Sequence, residues 1–165
     1  MADFQQKVND MPCEGMAGQL VDGVFTSALG YLSDGTLEAG QFAFTDTKNN
    51  DAVPFASKKV AANGRLLGVV MRTQTGQLDS PYTVASNAYH KGSPLSIAAR
   101  GRIYFKVPNG TPTVGQHVCV DPTSGAVTFA EKGTANDTGW AVVRLSVGKT
   151  TAAQDDLIII ENLGG

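Results

Sequence analysis

The chain has 165 residues, enough for one domain with a sizeable core, or one domain and an appendage. Only 17% of its residues are charged, 19 are glycine and the formal net charge is −2. That balance excludes the basic stripe of a nucleic-acid groove and suits a turn-rich all-β protein that buries surface in an assembly. The 13 basic residues are scattered, with Lys58-Lys59 the one adjacent pair. Two cysteines, Cys13 and Cys119, do not make a secreted disulfide framework. Met1 to Asp10 is polar, without the apolar stretch of a leader, and no run approaches the roughly 18 apolar residues of a membrane span. The expectation is a soluble protein made in the cytoplasm.

The first forty residues lack a clear period. Phe4 to Gly18 reads as an arm, because Asn9-Asp10, Met11-Pro12, Gly15 and Gly18 break any helix or strand. Phe4, Val8, Met11 and Met16 sit in it as isolated apolar anchors; such a segment lies along its own domain or a neighbour, or is a disordered terminus. Residues 1–38 are therefore expected to be an extended arm and lead-in, and residues 39–165 a β domain. Gly40 to Asp46 alternates Phe42 and Phe44 with polar or small residues, a short strand, and Lys48 to Asp51 is a loop. Arg65 to Arg72 is an apolar run interrupted by Gly68, which predicts a strand buried on both faces with a bulge or close approach at the glycine. Thr73 to Pro94 is a long polar stretch with Tyr82 and Tyr89, either a functional loop or the cover of a strand such as Tyr82 to Ala85.

From Leu95 to Val107 every odd position is apolar or Gly, and every even one but Ala98 is polar or half-polar. This predicts one long central strand, with the odd side chains against Val143, Leu145 and the strand Leu157 to Ile160. Its even face carries Arg100, Arg102 and Tyr104 toward solvent or a partner. Pro108 to Pro112 is a turn, Gln116 to Val120 and Ala126 to Ala130 are strands, and Asp121 to Gly125 is the hairpin loop between them. Lys132 to Gly139 is a polar connection. Trp140 to Val147 is then expected to turn Ala141, Val143, Leu145 and Val147 inward, with Trp140 in the core. At least seven closely spaced strands and no helix longer than two turns predict a small β-barrel or sandwich, jelly-roll-like or tulip-like, with an extended N-terminal arm.

No constellation in the chain carries catalysis. His117 and Cys119 share one face of a strand, as the start of a metal site or a Cys/His pair would. Val118 and Val120 occupy the other face, however, and no second Cys/His pair completes four ligands, so both read as structural. His90 sits between Tyr89 and Lys91 in a loop, and no Gly-x-Ser-x-Gly elbow is present. Gly148-Lys149-Thr150 is not a phosphate loop, since Val143 stands where its earlier glycine is needed and a strand precedes it. Asp155-Asp156 reads as a solvated turn rather than a cation site. Arg100, Arg102 and Tyr104 could stack single-stranded nucleic acid, but the acidic balance and 7% aromatic content oppose that. The expected site is thus a partner-binding one, formed by Phe4, Val8, Met11, Met16, Arg100, Arg102 and Tyr104, with no catalytic, cofactor or metal residues.

The order of several segments carries a resemblance. Met11 to Gly18 is a Pro- and Gly-containing stretch; Ala39 to Asp46 and Gly64 to Arg72 follow. Then come Val114 to Val120 with the Gly125 hairpin, Thr138 to Arg144, and the ending Asp156 to Asn162. In this order the chain resembles the structural cement (head decoration) proteins of tailed bacteriophages. The resemblance implies a non-enzymatic β protein on the outside of an icosahedral head, made in the host cytoplasm. Its partners would be the major capsid protein and further copies of itself, as a dimer or trimer, with no nucleic acid, membrane or cofactor. Thr73 to Ser93 is longer than that pattern. A virion-associated carbohydrate- or receptor-binding module is the alternative, and it should display exposed aromatic platforms.

Overall fold

Ten strands in two five-stranded sheets account for the regular structure among the described residues of the computed structural model, which are 15–21, 28–45, 55–60, 64–72, 88–146 and 148–164. In chain order the strands are β1 (Ala28–Ser33), β2 (Phe42–Thr45), β3 (Phe55–Ala56), β4 (Arg65–Val70), β5 (Pro94–Ala98), β6 (Gly101–Lys106), β7 (His117–Val120), β8 (Val127–Ala130), β9 (Asp137–Arg144) and β10 (Leu157–Asn162). The first sheet runs β2-β4-β5-β1-β3 and the second β6-β10-β9-β7-β8. Every ladder is antiparallel except that of β1 with β3. The architecture is an all-β sandwich.

Two cores result. Between the sheets, Phe42, Val69 and Ala98 meet Ile103, Phe105, Trp140 and Ile160. Phe42 sits edge-on to Phe105, with ring centroids 5.6 Å apart, and to Trp140 at 6.4 Å. The other face of the first sheet encloses Leu37, Ala43, Leu67, Val70, Tyr89 and Ile97. Tyr89 is buried, and its hydroxyl donates to the Met71 carbonyl at 2.8 Å. The first sheet curls around this second core: Phe44 and Ser57 exchange two backbone hydrogen bonds, a single bridge linking its opposite edges.

The strand Arg65–Val70 is buried on both faces, as its unbroken apolar run requires. Val69 serves the inter-sheet core, Leu67 and Val70 the second one. Opposite β2, Ala43 pairs with Gly68 and Phe44 with Leu66, which leaves Leu67 as the extra residue of a bulge. Gly68 has φ 140°, and a Cβ there would lie 2.0 Å from the Ala98 carbonyl oxygen. Only glycine fits.

Three expectations are corrected. Leu95 to Val107 is not one strand. It bends at Ala99-Arg100, and its halves β5 and β6 lie in different sheets, β5 in the middle of the first and β6 at an edge of the second. The alternation survives the corner because Leu95 and Ile97 point into the second core while Ile103 and Phe105 point into the inter-sheet core. Ala141 and Val143 do not face inward; Ala141 lies between the buried Trp140 and Val142. In the β9–β10 ladder Ile160 lies opposite Val142 and Ile159 opposite Arg144, so Val143 is an inserted residue. Thr138, Trp140 and Val142 are buried, Val143 is 37% exposed, and Leu145 regains the interior beyond the insertion; Val147 lies outside the described residues. Finally, β1 forms within the stretch that showed no period, and β3, two residues long, has no pattern to read. The Lys48 to Asp51 and Tyr82 to Ala85 expectations fall outside the described residues.

Replacing Phe105 with Ala should cost about 3–5 kcal/mol in chemical denaturation, whereas Val143→Ala should stay within about 0.5 kcal/mol. Gly68→Ala should destabilise despite adding apolar surface, because the added methyl meets backbone on one side and an unfavourable φ on the other.

Candidate binding site at the arm root and the edge of the second sheet

The end of the expected arm is pinned to the domain. Residues 15–21 run beside β6, where the Gly18 N–H donates to the Tyr104 carbonyl (2.8 Å), the Tyr104 N–H to the Gln19 carbonyl (2.9 Å) and the Val21 N–H to the Arg102 carbonyl (3.2 Å). Leu20 bridges Ile103 in antiparallel fashion. This added stretch covers an edge that would otherwise expose a row of unpaired backbone groups. Gly18 also accepts from the Arg72 N–H (2.8 Å) at the end of β4, so one residue ties both sheets. Phe4, Val8 and Met11 lie outside the described residues, while Met16, at 52% exposure, is an apolar side chain left open to solvent.

Three of the expected site residues converge here. The Tyr104 ring lies against the backbone of Gly15, at a distance that leaves no room for a side chain there, with a Cβ 2.6 Å from the ring carbons. Arg102, two residues along β6, forms an ion pair with Glu161 directly across on β10. That pairing offsets much of the positive charge the alternating face suggested. Tyr104 and Arg102 thus lie along the β6 edge that residues 15–21 cover, with the exposed Met16 next in sequence to Gly15. Arg100 is separate: it is exposed at the bend between β5 and β6, with its guanidinium against the chain end at Gly164. Leu163, 57% exposed, is adjacent in sequence.

His117 and Asp137 face each other across β7 and β9, with Nδ1 and the carboxylate 3.0 Å apart. Burial works against the Asp137 charge, but the N–H groups of Gly133 and Gly139 and the His117 ring hold its carboxyl below the usual range. Asp137 is therefore the clamp of the turn that enters β9. Cys119, opposite Asp137 in the ladder, is buried; burial first and the Asp137 charge second push its thiol above the ordinary value. A protonated, enclosed thiol is a weak nucleophile, so the His117–Cys119 face has a packing role. Asp156 accepts from Lys149 and from the Ala153 N–H, and Asp155 pairs with Lys106 at 2.8 Å. His90 is exposed in its loop, and Trp140 is 1% exposed. No group of three or more His, Cys, Asp or Glu placed to hold a metal ion occurs among the described residues.

The covering role of Gln19, Leu20 and Val21 was not visible in the sequence, because only alternate backbone groups carry it. The position of β8 as an outer strand among the described residues was equally silent, although the run Ala126 to Ala130 carries no charge.

Comparison with known proteins gives a consistent picture. A family model described as structural cement protein (E217 gp24/Pam3 gp6) matches residues 4–162. Among solved structures, a chain described under the capsid of Myoviridae phage XM1 is similar in fold. It is 11% identical with a TM-score of 0.58, over 98% of this chain and 99% of that one. No curated protein matches the chain.

The hairpin turn supplies a pH test. The Asp121 carboxylate accepts from the Ser124 hydroxyl and from the N–H and hydroxyl of Thr123, which lowers its pKa to about 2. A carboxyl depressed in the folded state stabilises it above the unfolded value near 3.8 and stops doing so as pH falls through about 2. Asp121→Asn should therefore be less stable than the wild type at pH 6, and the gap should close between pH 4 and 2 in denaturation curves. A gap independent of pH would remove this role.

Proposed function

The chain belongs to the phage structural cement proteins, and from that premise we propose that it is a non-enzymatic virion protein that binds the outer surface of a capsid, joins neighbouring major capsid subunits and stabilises the head. The observation that carries this reading is the arm root. The stretch 15–21, which follows a segment rich in spaced apolar residues, is fixed beside β6, with the Tyr104 ring against Gly15 and Met16 exposed. Phe4, Val8, Met11 and Met16 anchor the contact, and Arg102 and Tyr104 border it, with Arg100 at the neighbouring corner. A segment with little structure of its own orders on contact, at an entropic cost offset by burying those side chains. The partners are the major capsid protein and further copies of this chain, arranged as symmetric dimers or trimers on the particle, since capsid axes offer those symmetries.

Deleting residues 2–14 keeps the strand-like stretch from Gly15 onward, so the β domain should remain folded by circular dichroism. Attachment to purified undecorated heads, read by co-sedimentation, should weaken at least tenfold, about 1.4 kcal/mol. The full chain should bind in hundreds of copies per particle. Unchanged attachment by the truncated chain would move the contact to the β domain, and a handful of copies per particle would sink the cementing role.

A further inference from the structure

The connection between β6 and β7 is fixed at both ends and open at its tip. At one end Val107 is buried; its N–H donates to the Asp156 carbonyl (2.9 Å) and its carbonyl accepts from the Asp155 N–H (2.8 Å). At the other end Pro112 is buried, and the Gln116 side chain accepts from the Thr113 N–H at 2.9 Å. Between them Pro108, Asn109, Gly110 and Thr111 are all exposed. Of the asparagines among the described residues, Asn109, Asn136 and Asn162, only Asn109 precedes a glycine.

The side chain of Asn109 is folded back onto the next peptide unit. The Gly110 N–H donates to Asn109 Oδ1 at 2.8 Å, which brings the Gly110 nitrogen beside the carboxamide whose carbon it can attack. Holding two reacting groups in contact removes the entropic part of a barrier. The terminal torsion of an asparagine is broad, so the carboxamide can turn its face toward the nitrogen without leaving this position. Gly110 adopts φ 86° and has no side chain to shield its nitrogen; a Cβ there would meet only a Phe129 ring carbon, at 3.7 Å. The same hydrogen bond supports the turn, so the arrangement belongs to the folded chain.

We propose that Asn109-Gly110 is a self-modification site, where the folded chain converts Asn109 to a mixture of aspartate and isoaspartate. The Gly110 nitrogen bonds to Asn109 Cγ as it loses its proton. The bond from Cγ to Nδ2 breaks, and Nδ2 takes up a proton and leaves as ammonia. Water then opens the five-membered imide. Cleavage between Cγ and the ring nitrogen gives aspartate; cleavage between the backbone carbonyl carbon and that nitrogen gives isoaspartate, with the chain now running through Cγ. The net reaction consumes one water and releases one ammonia, with no oxidant or reductant. Either product puts a carboxylate into the stretch between Lys106 and His117, which carries no charged residue. It stands at the wall shared by two hollows, one of them also lined by Lys58 and Lys106. Isoaspartate further adds a backbone methylene to a connection whose ends are fixed, which shifts Gly110 relative to Phe129.

The test follows the native full-length chain in mildly alkaline buffer without heads, so its outcome is independent of capsid attachment. Trypsin places the three asparagines in the separate peptides Val107–Lys132, Gly133–Arg144 and Thr150–Gly165, and mass spectrometry reads each alone. Asn109 should convert at least tenfold faster than Asn136 and Asn162, and its products should include isoaspartate, which only the imide route supplies. Asn109→Gln would have to close a six-membered ring; it should show no conversion on the same timescale, with unchanged circular dichroism. Equal rates at the three positions would overturn the proposal. So would conversion of Asn109 only in denaturant, or to aspartate alone.

Discussion

The close approach of the Gly68 backbone to the Ala98 carbonyl is the constraint on which both sheets depend. At this point β4 bulges, β5 ends, and three residues later the chain has crossed into the second sheet as β6. A side chain at Gly68 would push β5 outward, and the displacement would reach both cores. Ala98 would leave the inter-sheet core and Ile97 the second one. The small size of Ala98 matters for the same reason, since it is the one even-numbered apolar position of the ribbon and packs toward Phe42 and Val69. A contact between two neighbouring backbones of the first sheet thus fixes the place from which the chain turns into the second.

Fold class and most strands were legible because their signals are local. Alternation marked Leu95 to Val107, the Asp121 to Gly125 loop marked the hairpin of β7 and β8, and the run around Gly68 marked a doubly buried strand. What alternation does not encode is which core a buried face serves. Leu95 and Phe105 look equivalent in sequence, yet they belong to different cores because the corner at Ala99-Arg100 lies between them. Ala98, apolar where a polar residue was expected, was the available hint. Val143 was misassigned for a related reason: even residues face inward up to Val142 and the odd Leu145 beyond the insertion, and nothing in Trp140 to Val147 distinguishes an insertion from a regular strand. Strand β1 gave no signal because Gly30 and Ala28 interrupt its pattern.

The candidate site was legible in its parts and not in its assembly. Arg102 and Tyr104 share a face by simple alternation, and the spaced apolar residues of the arm follow from composition. Their meeting does not, since it rests on backbone hydrogen bonds from Gly18 and Val21 that any residue but proline can donate. The pairing of Arg102 with Glu161 was likewise invisible, because 58 residues separate them in the chain and only the β6–β10 register brings them together.

That register of the arm root has a mechanical consequence. The hydrogen bonds from residues 18–21 lie across the strand axis, so a pull along that axis loads them together, in shear, rather than opening them one at a time. Through Gly18 part of that tension passes to Arg72 and the first sheet, so a pull is shared by both layers of the sandwich. A tether anchored in this way yields only when the edge of the second sheet gives way as a unit.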